Sequence, residues 1–64
     1  MIPEKDKTYF ISCLGPFDYN QYSGTGIFTG ELDGFDDEVW YGFKIPKEEQ
    51  TCFFVESEIL GEVK

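Results

Sequence analysis

The chain has 64 residues, with 13 Asp or Glu against 5 Lys or Arg and no His, for a formal charge of −8. This length allows one domain, and so short a chain buries only about 60% of the surface it exposes when unfolded. Without imidazole there is no Ser–His or Cys–His nucleophile pair and no histidine zinc site, and two cysteines alone cannot close a structural zinc site.

Residues Met1-Ile2-Pro3-Glu4-Lys5-Asp6-Lys7 are charged and contain no apolar run, so they read as a flexible tail over 1–6 rather than as a signal peptide. Alternation predicts a first strand from Thr8 to Leu14, with Tyr9, Ile11 and Cys13 on one face and Phe10, Ser12 and Leu14 on the other. Gly15-Pro16 ends it, because proline supplies no ladder donor. A polar and aromatic loop, Phe17 to Ser23, follows. The second strand is expected from Gly24 to Leu32, where Gly24, Gly26 and Gly30 mark bulges or a sharp bend. Ile27 and Phe28 compete there for the buried face. Asp33-Gly34 is expected to start a turn. Glu38 to Ile45 reads as the third strand, with Val39, Tyr41, Phe43 and Ile45 on one face and Trp40, Gly42 and Lys44 on the other. Pro46 stops it. Lys47-Glu48-Glu49-Gln50 is a hairpin connection to a fourth strand, Thr51 to Val55. Glu56-Ser57-Glu58 fits one 3₁₀ turn, and Ile59 to Val63 a short fifth strand.

These elements make the chain all-β. A closed barrel suits five short antiparallel strands better than a seven-stranded sandwich, since closure hides the edges. Aromatic residues make up 19% of the chain, and each ring buries on the order of 150–250 Å² in a small core. The order of elements, with Tyr22-Ser23-Gly24-Thr25-Gly26-Ile27-Phe28 and Phe53-Phe54-Val55-Glu56-Ser57-Glu58-Ile59-Leu60, resembles the second strand and closing turn of SH3-like small barrels. The resemblance implies a single five-stranded antiparallel SH3-like barrel with a 3₁₀ turn before the last strand. It implies no particular activity, because such barrels host many unrelated functions. The Ala-Leu-Tyr-Asp-Tyr strand of the polyproline-binding members is absent.

Cys13 and Cys52 sit in apolar segments and form no CxxC, so they read as buried thiols in a reducing cytosol. No stretch approaches the ~20 apolar residues of a membrane span. The charge disfavours nucleic-acid phosphate and anionic membrane surfaces, and favours basic partners.

Glu31, Asp33, Asp36, Asp37 and Glu38 place five acids in eight residues. The spacing of Asp33-Gly34-Phe35-Asp36-Asp37-Glu38 lacks the alternating acids and distal Glu of a calcium loop. Two readings are left: a solvated hairpin tip, and a docking surface for a cationic partner, shared with Glu56, Glu58 and Glu62. Phe17, Tyr19, Tyr22 and Trp40 either cap the barrel ends, or Tyr19, Tyr22 and Trp40 line a groove, where Tyr and Trp are favoured as anchors. Single-stranded nucleic acid also stacks on such rings but needs a positive groove, and Lys5, Lys7, Lys44 and Lys47 are interleaved with acids. Gly24, Gly26 and Gly30 match no phosphate-binding loop. Paired carboxylates such as Asp36 and Asp37 find no evident pocket, so no catalytic role, metal or cofactor is expected.

The expected function is a non-catalytic, cytoplasmic, acidic protein-binding module. One version is a phage or bacterial inhibitor or adaptor that occupies a basic or nucleic-acid-facing surface of another protein. Asp33, Asp36, Asp37 and Glu38 would steer the encounter, and Tyr19, Tyr22 and Trp40 would anchor it. The other readings are an assembly subunit that homo-oligomerises and a small-ligand sensor with the first loop as its lid.

Overall fold

The computed structural model describes residues 2–13, 22–46 and 48–64. Alternation of large apolar residues produces β1 (Thr8–Cys13), β2 (Tyr22–Phe35), β3 (Glu38–Lys44), β4 (Cys52–Val55) and β5 (Ile59–Glu62), with a 3₁₀ turn, η1 (Glu56–Glu58), before β5. The strands form one sheet in the order β4-β3-β2-β1-β5, and every neighbouring pair is antiparallel. The all-β class, the five strands and the 3₁₀ turn agree with the sequence reading. The sheet is open in its hydrogen bonding, with β4 and β5 at its two edges.

One face of the sheet carries the core. Tyr9 and Ile11 of β1, Phe28 of β2, Tyr41 and Phe43 of β3, Cys52 and Phe54 of β4 and Ile59 of β5 are buried together, with Ile45 just past β3. Cross-strand register sets the neighbours: Phe28 faces Phe43, Tyr41 faces Phe54, and Ile11 faces Ile59. Phe28 therefore takes the buried side of β2, and Ile27 points outward. Phe43 is fully buried and stands edge-on or tilted to Tyr9, Phe28 and Phe54. Such ring pairs contribute about 0.5–1.5 kcal/mol each beyond their buried area.

The sheet curls because β2 presents Gly26 to the core. A Cβ there would lie 2.9 Å from Ile11 Cδ1, 3.1 Å from Ile45 Cγ2 and 3.3 Å from Phe43 Cβ. Its missing side chain lets residues of β1 and of the β3 end meet across β2. At the connection between the two edges, η1 touches both β1 and β3. The Glu58 carboxylate anchors its start by accepting the Val55 N–H at 3.0 Å.

The expected bend in β2 falls at Thr29–Glu31. Phe28 pairs with Phe43 and Leu32 with Tyr41, so four steps along β2 match two along β3. Gly30 absorbs the excess with φ +93°, a conformation that glycine adopts without penalty. Thr29 Oγ1 fixes the bulge by donating to the Gly42 carbonyl at 3.1 Å while accepting the Glu31 N–H at 3.2 Å.

Three local expectations change. Tyr22 and Ser23, read as loop, begin β2. The stretch 1–6, read as a flexible tail, is hydrogen-bonded to the sheet over its described part. The Asp6 N–H donates to the Phe28 carbonyl at 2.8 Å, the Glu4 N–H donates to the Tyr9 hydroxyl at 2.6 Å, and Pro3 is buried. Finally, Asp33-Gly34 does not turn. Both lie within β2, paired with Trp40 and Val39, and the chain reverses at Asp36-Asp37. The register supplies the reason: a two-residue turn at Asp33-Gly34 would set Phe28 opposite Val39, whereas the turn at Asp36-Asp37 sets Leu32 opposite Tyr41 and, past the bulge, Phe28 opposite Phe43, so that the Phe28 ring packs against both Tyr41 and Phe43. The actual turn puts Asp33 opposite Trp40 and Phe35 opposite Glu38.

Candidate functional site at the tip of the second hairpin

Past the bulge, β2 and β3 run on beyond the core as a hairpin closed by Asp36 and Asp37. Their φ values are 57° and 63°, the double left-handed geometry of a type I′ turn. Aspartate tolerates it better than most residues, though less well than glycine. Asp33, Asp36, Asp37 and Glu38 are all exposed here, so the structure brings the four acids together. Asp33 accepts the N–H of Gly34 at 2.9 Å.

Parity divides the hairpin into two faces. Asp33, Phe35, Glu38 and Trp40 share the outward one. Trp40 is half-buried there, and its indole N–H donates to the Phe35 carbonyl at 3.3 Å, across the turn. Leu32 and Val39 continue the core face, past the point where the core can cover them. Leu32 is 62% exposed, Val39 51% and Phe35 69%. Leu32 and Val39 lie together on the core face and Phe35 on the outward one, and neighbouring exposed apolar side chains such as the first two mark an interaction surface more often than isolated ones do. Leu32 and Val39 were missed in the sequence because each fits its strand's alternation, and Phe35 because it fell in the expected connection. The available signal was Phe35, an apolar residue inside a run of acids.

Two depressions adjoin along β3. One is lined by Asp37, Glu38, Val39, Tyr41, Glu56 and Ser57. It brings Glu56 beside the tip acids. The other is mostly apolar, with Ile2, Pro3, Lys5, Leu32, Val39 and Tyr41 among its walls. Val39 and Tyr41 belong to both.

The remaining acids go elsewhere. The Glu58 carboxylate is engaged by the Val55 N–H, Glu62 pairs with Lys7 at 3.7 Å, and Glu31 accepts the Thr51 hydroxyl at 3.2 Å. They do not extend the tip into one continuous track of carboxylates.

The aromatic residues singled out in the sequence are not gathered. Tyr22 pairs with Cys13 at the opposite end of β2 from Asp33, the partner of Trp40. Its ring lies over Gly24, where a Cβ would come within 2.6 Å of the hydroxyl, and that hydroxyl donates to the Thr25 carbonyl at 2.8 Å. Tyr22 and Trp40 therefore do not line one groove, and Tyr19 falls outside the described residues. Among the described residues no three Cys, Asp or Glu side chains converge as a metal site would require.

Comparison with protein-family models, with curated proteins and with solved structures gave no match in any of the three.

Proposed function

We propose that this chain is a non-catalytic acidic module that binds another protein through a positively charged surface, with the β2–β3 hairpin as its contact element. The supporting observation is the hairpin tip itself. Four acids and the exposed side chains of Leu32, Phe35 and Val39 are concentrated between residues 32 and 39, with no Lys or Arg in that stretch. Carboxylates of this kind act at range, raising the encounter rate with a cationic patch. Apolar and aromatic neighbours then slow dissociation. Trp40 is the anchor beside the acids, Tyr22 is kept as a further candidate elsewhere on the chain, and Tyr19, also kept, lies outside the described residues.

The strand order, the bent β2 and the 3₁₀ turn before β5 support an SH3-like barrel as the finer description of the fold. A concrete version of the function is a cytoplasmic phage or bacterial inhibitor that covers a nucleic-acid-facing surface of its target. The test is affinity capture from a bacterial lysate at low and high salt, with mass spectrometry of what is retained. A basic protein held at low salt and released at high salt supports the proposal. Capture that is indifferent to salt overturns its electrostatic half, since exposed charges are screened within about 8–10 Å at ordinary ionic strength.

A second reading has its own observation. Phe10 and Ile27 are exposed on the face away from the core, as suits a subunit that assembles with copies of itself. Sizing over a wide concentration range tests it.

A further inference from the structure

We infer that the segment recognised at this tip carries a large apolar side chain next to a Lys or Arg, and that the two are received on opposite sides of the wall formed by Val39 and Tyr41. The inference rests on the proposal that the partner is a basic protein, and it adds which local chemistry that partner must show.

Val39 and Tyr41 carry it, because they are the shared boundary of two unlike depressions. On one side stand Asp37, Glu38 and Glu56. On the other stand Ile2, Leu32 and Gly30, with Phe28 beneath. Three walls of the apolar side are open to water, with Ile2 74%, Leu32 62% and Val39 51% exposed. An occupant gains from covering them in proportion to the apolar area removed from water. The only cation among the residues lining the two depressions is Lys5, on the apolar side, where its methylene stem lies against Gly30. The face is therefore polarised: a base belongs beside Asp37 and Glu38, and at the Lys5 rim it would be repelled.

This polarity also selects among occupants. A second copy of the chain brings a charge of −8 toward a face that is itself acidic, so like charges oppose that pairing. A nucleic acid meets the same repulsion. A short peptide segment with an apolar residue beside a base matches both sides at once.

The experiment uses the whole chain labelled with ¹⁵N and three capped hexapeptides: Gly-Arg-Arg-Leu-Leu-Gly, Gly-Glu-Glu-Leu-Leu-Gly and Gly-Arg-Arg-Gly-Gly-Gly. The first is expected to shift the backbone amides of Leu32, Val39 and Tyr41 at concentrations at least tenfold lower than either of the others. Leu32→Ser should weaken that peptide several-fold at any salt. Glu38→Gln should weaken it at low salt only. Both positions are exposed, and amide dispersion reports whether each variant is folded. Equal binding by the two Arg peptides removes the apolar depression from the account while leaving the basic-partner proposal standing. Equal binding by the two Leu peptides removes the acids. Shifts of the same amides on simple concentration, without peptide, show that a second copy occupies the face and overturn the inference. So does a lack of response to all three peptides.

Discussion

The ring of Tyr9 in β1 stands edge-on to the ring of Phe43 in β3, with 6.0 Å between centroids and 82° between planes, although β2 runs between their strands. The contact exists because Gly26, the residue of β2 that pairs with Tyr9, carries no side chain. Gly26→Ala would force a methyl to within 3.3 Å of Phe43 Cβ and closer still to two isoleucines. Overpacking of this kind costs about 1–3 kcal/mol. In a domain this small each kcal/mol corresponds to roughly 4–8 °C of melting temperature. Thermal melts of the two proteins measure it, and an unchanged midpoint would mean that the sheet curls for another reason.

Phe43 is the ring on which the core converges. Phe43→Ala removes its contacts with Tyr9, Phe28 and Phe54 at once. The expected cost of about 3–5 kcal/mol is comparable to the whole stability of a small domain, at ~0.05–0.15 kcal/mol per residue. Near-ultraviolet circular dichroism at 25 °C should show loss of fixed aromatic packing. Retention of the wild-type signal would place the centre of the core elsewhere.

The turn offers a gain instead of a loss. Asp36 and Asp37 are adjacent like charges, both at positive φ. Asn-Gly is the preferred pair for a type I′ turn. The double variant Asp36→Asn, Asp37→Gly should be more stable by about 1 kcal/mol, since glycine at position 37 removes one left-handed non-glycine residue, which costs on the order of 1 kcal/mol, and the adjacent like charges go with it. Denaturant midpoints compared in one buffer decide it, and a fall in stability would contradict the assigned turn.

Removing charge from the same tip should act on rates. With Asp33, Asp36 and Asp37 changed to Asn and Glu38 to Gln, association with the captured partner is expected to slow at low salt. The gap from the unaltered chain should close as salt rises. Trp40→Ala should instead hasten dissociation at every salt. Surface plasmon resonance separates the two rates. Association by the quadruple variant at the unaltered rate would exclude steering by these acids.

How much of this was legible beforehand varies along the chain. The alternation Val39, Tyr41, Phe43, Ile45 is strict, so β3 and its buried face could be read directly. Glu56-Ser57-Glu58, flanked by strand-forming residues, left little choice but a single 3₁₀ turn. The buried side of β2 was ambiguous between Ile27 and Phe28, and only pairing with Phe43 decides it. Asp33-Gly34 carries the stronger local turn chemistry, yet the register that packs Phe28 against Tyr41 and Phe43 places the turn three residues later. The docking of residues 2–7 depends on the Phe28 backbone and the Tyr9 hydroxyl, partners remote in sequence. Of the site, the acids were evident from composition alone. The apolar half was not, because Leu32 and Val39 keep strand alternation and owe their exposure to the length of the hairpin past the core.

Strand β5 reaches β1 through the pairing of Glu62 with Tyr9, and Val63 adds a 2.8 Å bond from its N–H to the Thr8 carbonyl. These contacts join stretches separated by nearly the whole chain, whereas β2 and β3 are joined by two residues. The consequence is kinetic. A hairpin such as β2–β3 forms within about 1–10 μs. Pairing across such a long loop waits on an unfavourable closure entropy, and all-β domains of high contact order fold in roughly milliseconds to seconds. The acidic tip thus belongs to the part of the sheet that can organise first. The β1–β5 seam carries the larger closure entropy.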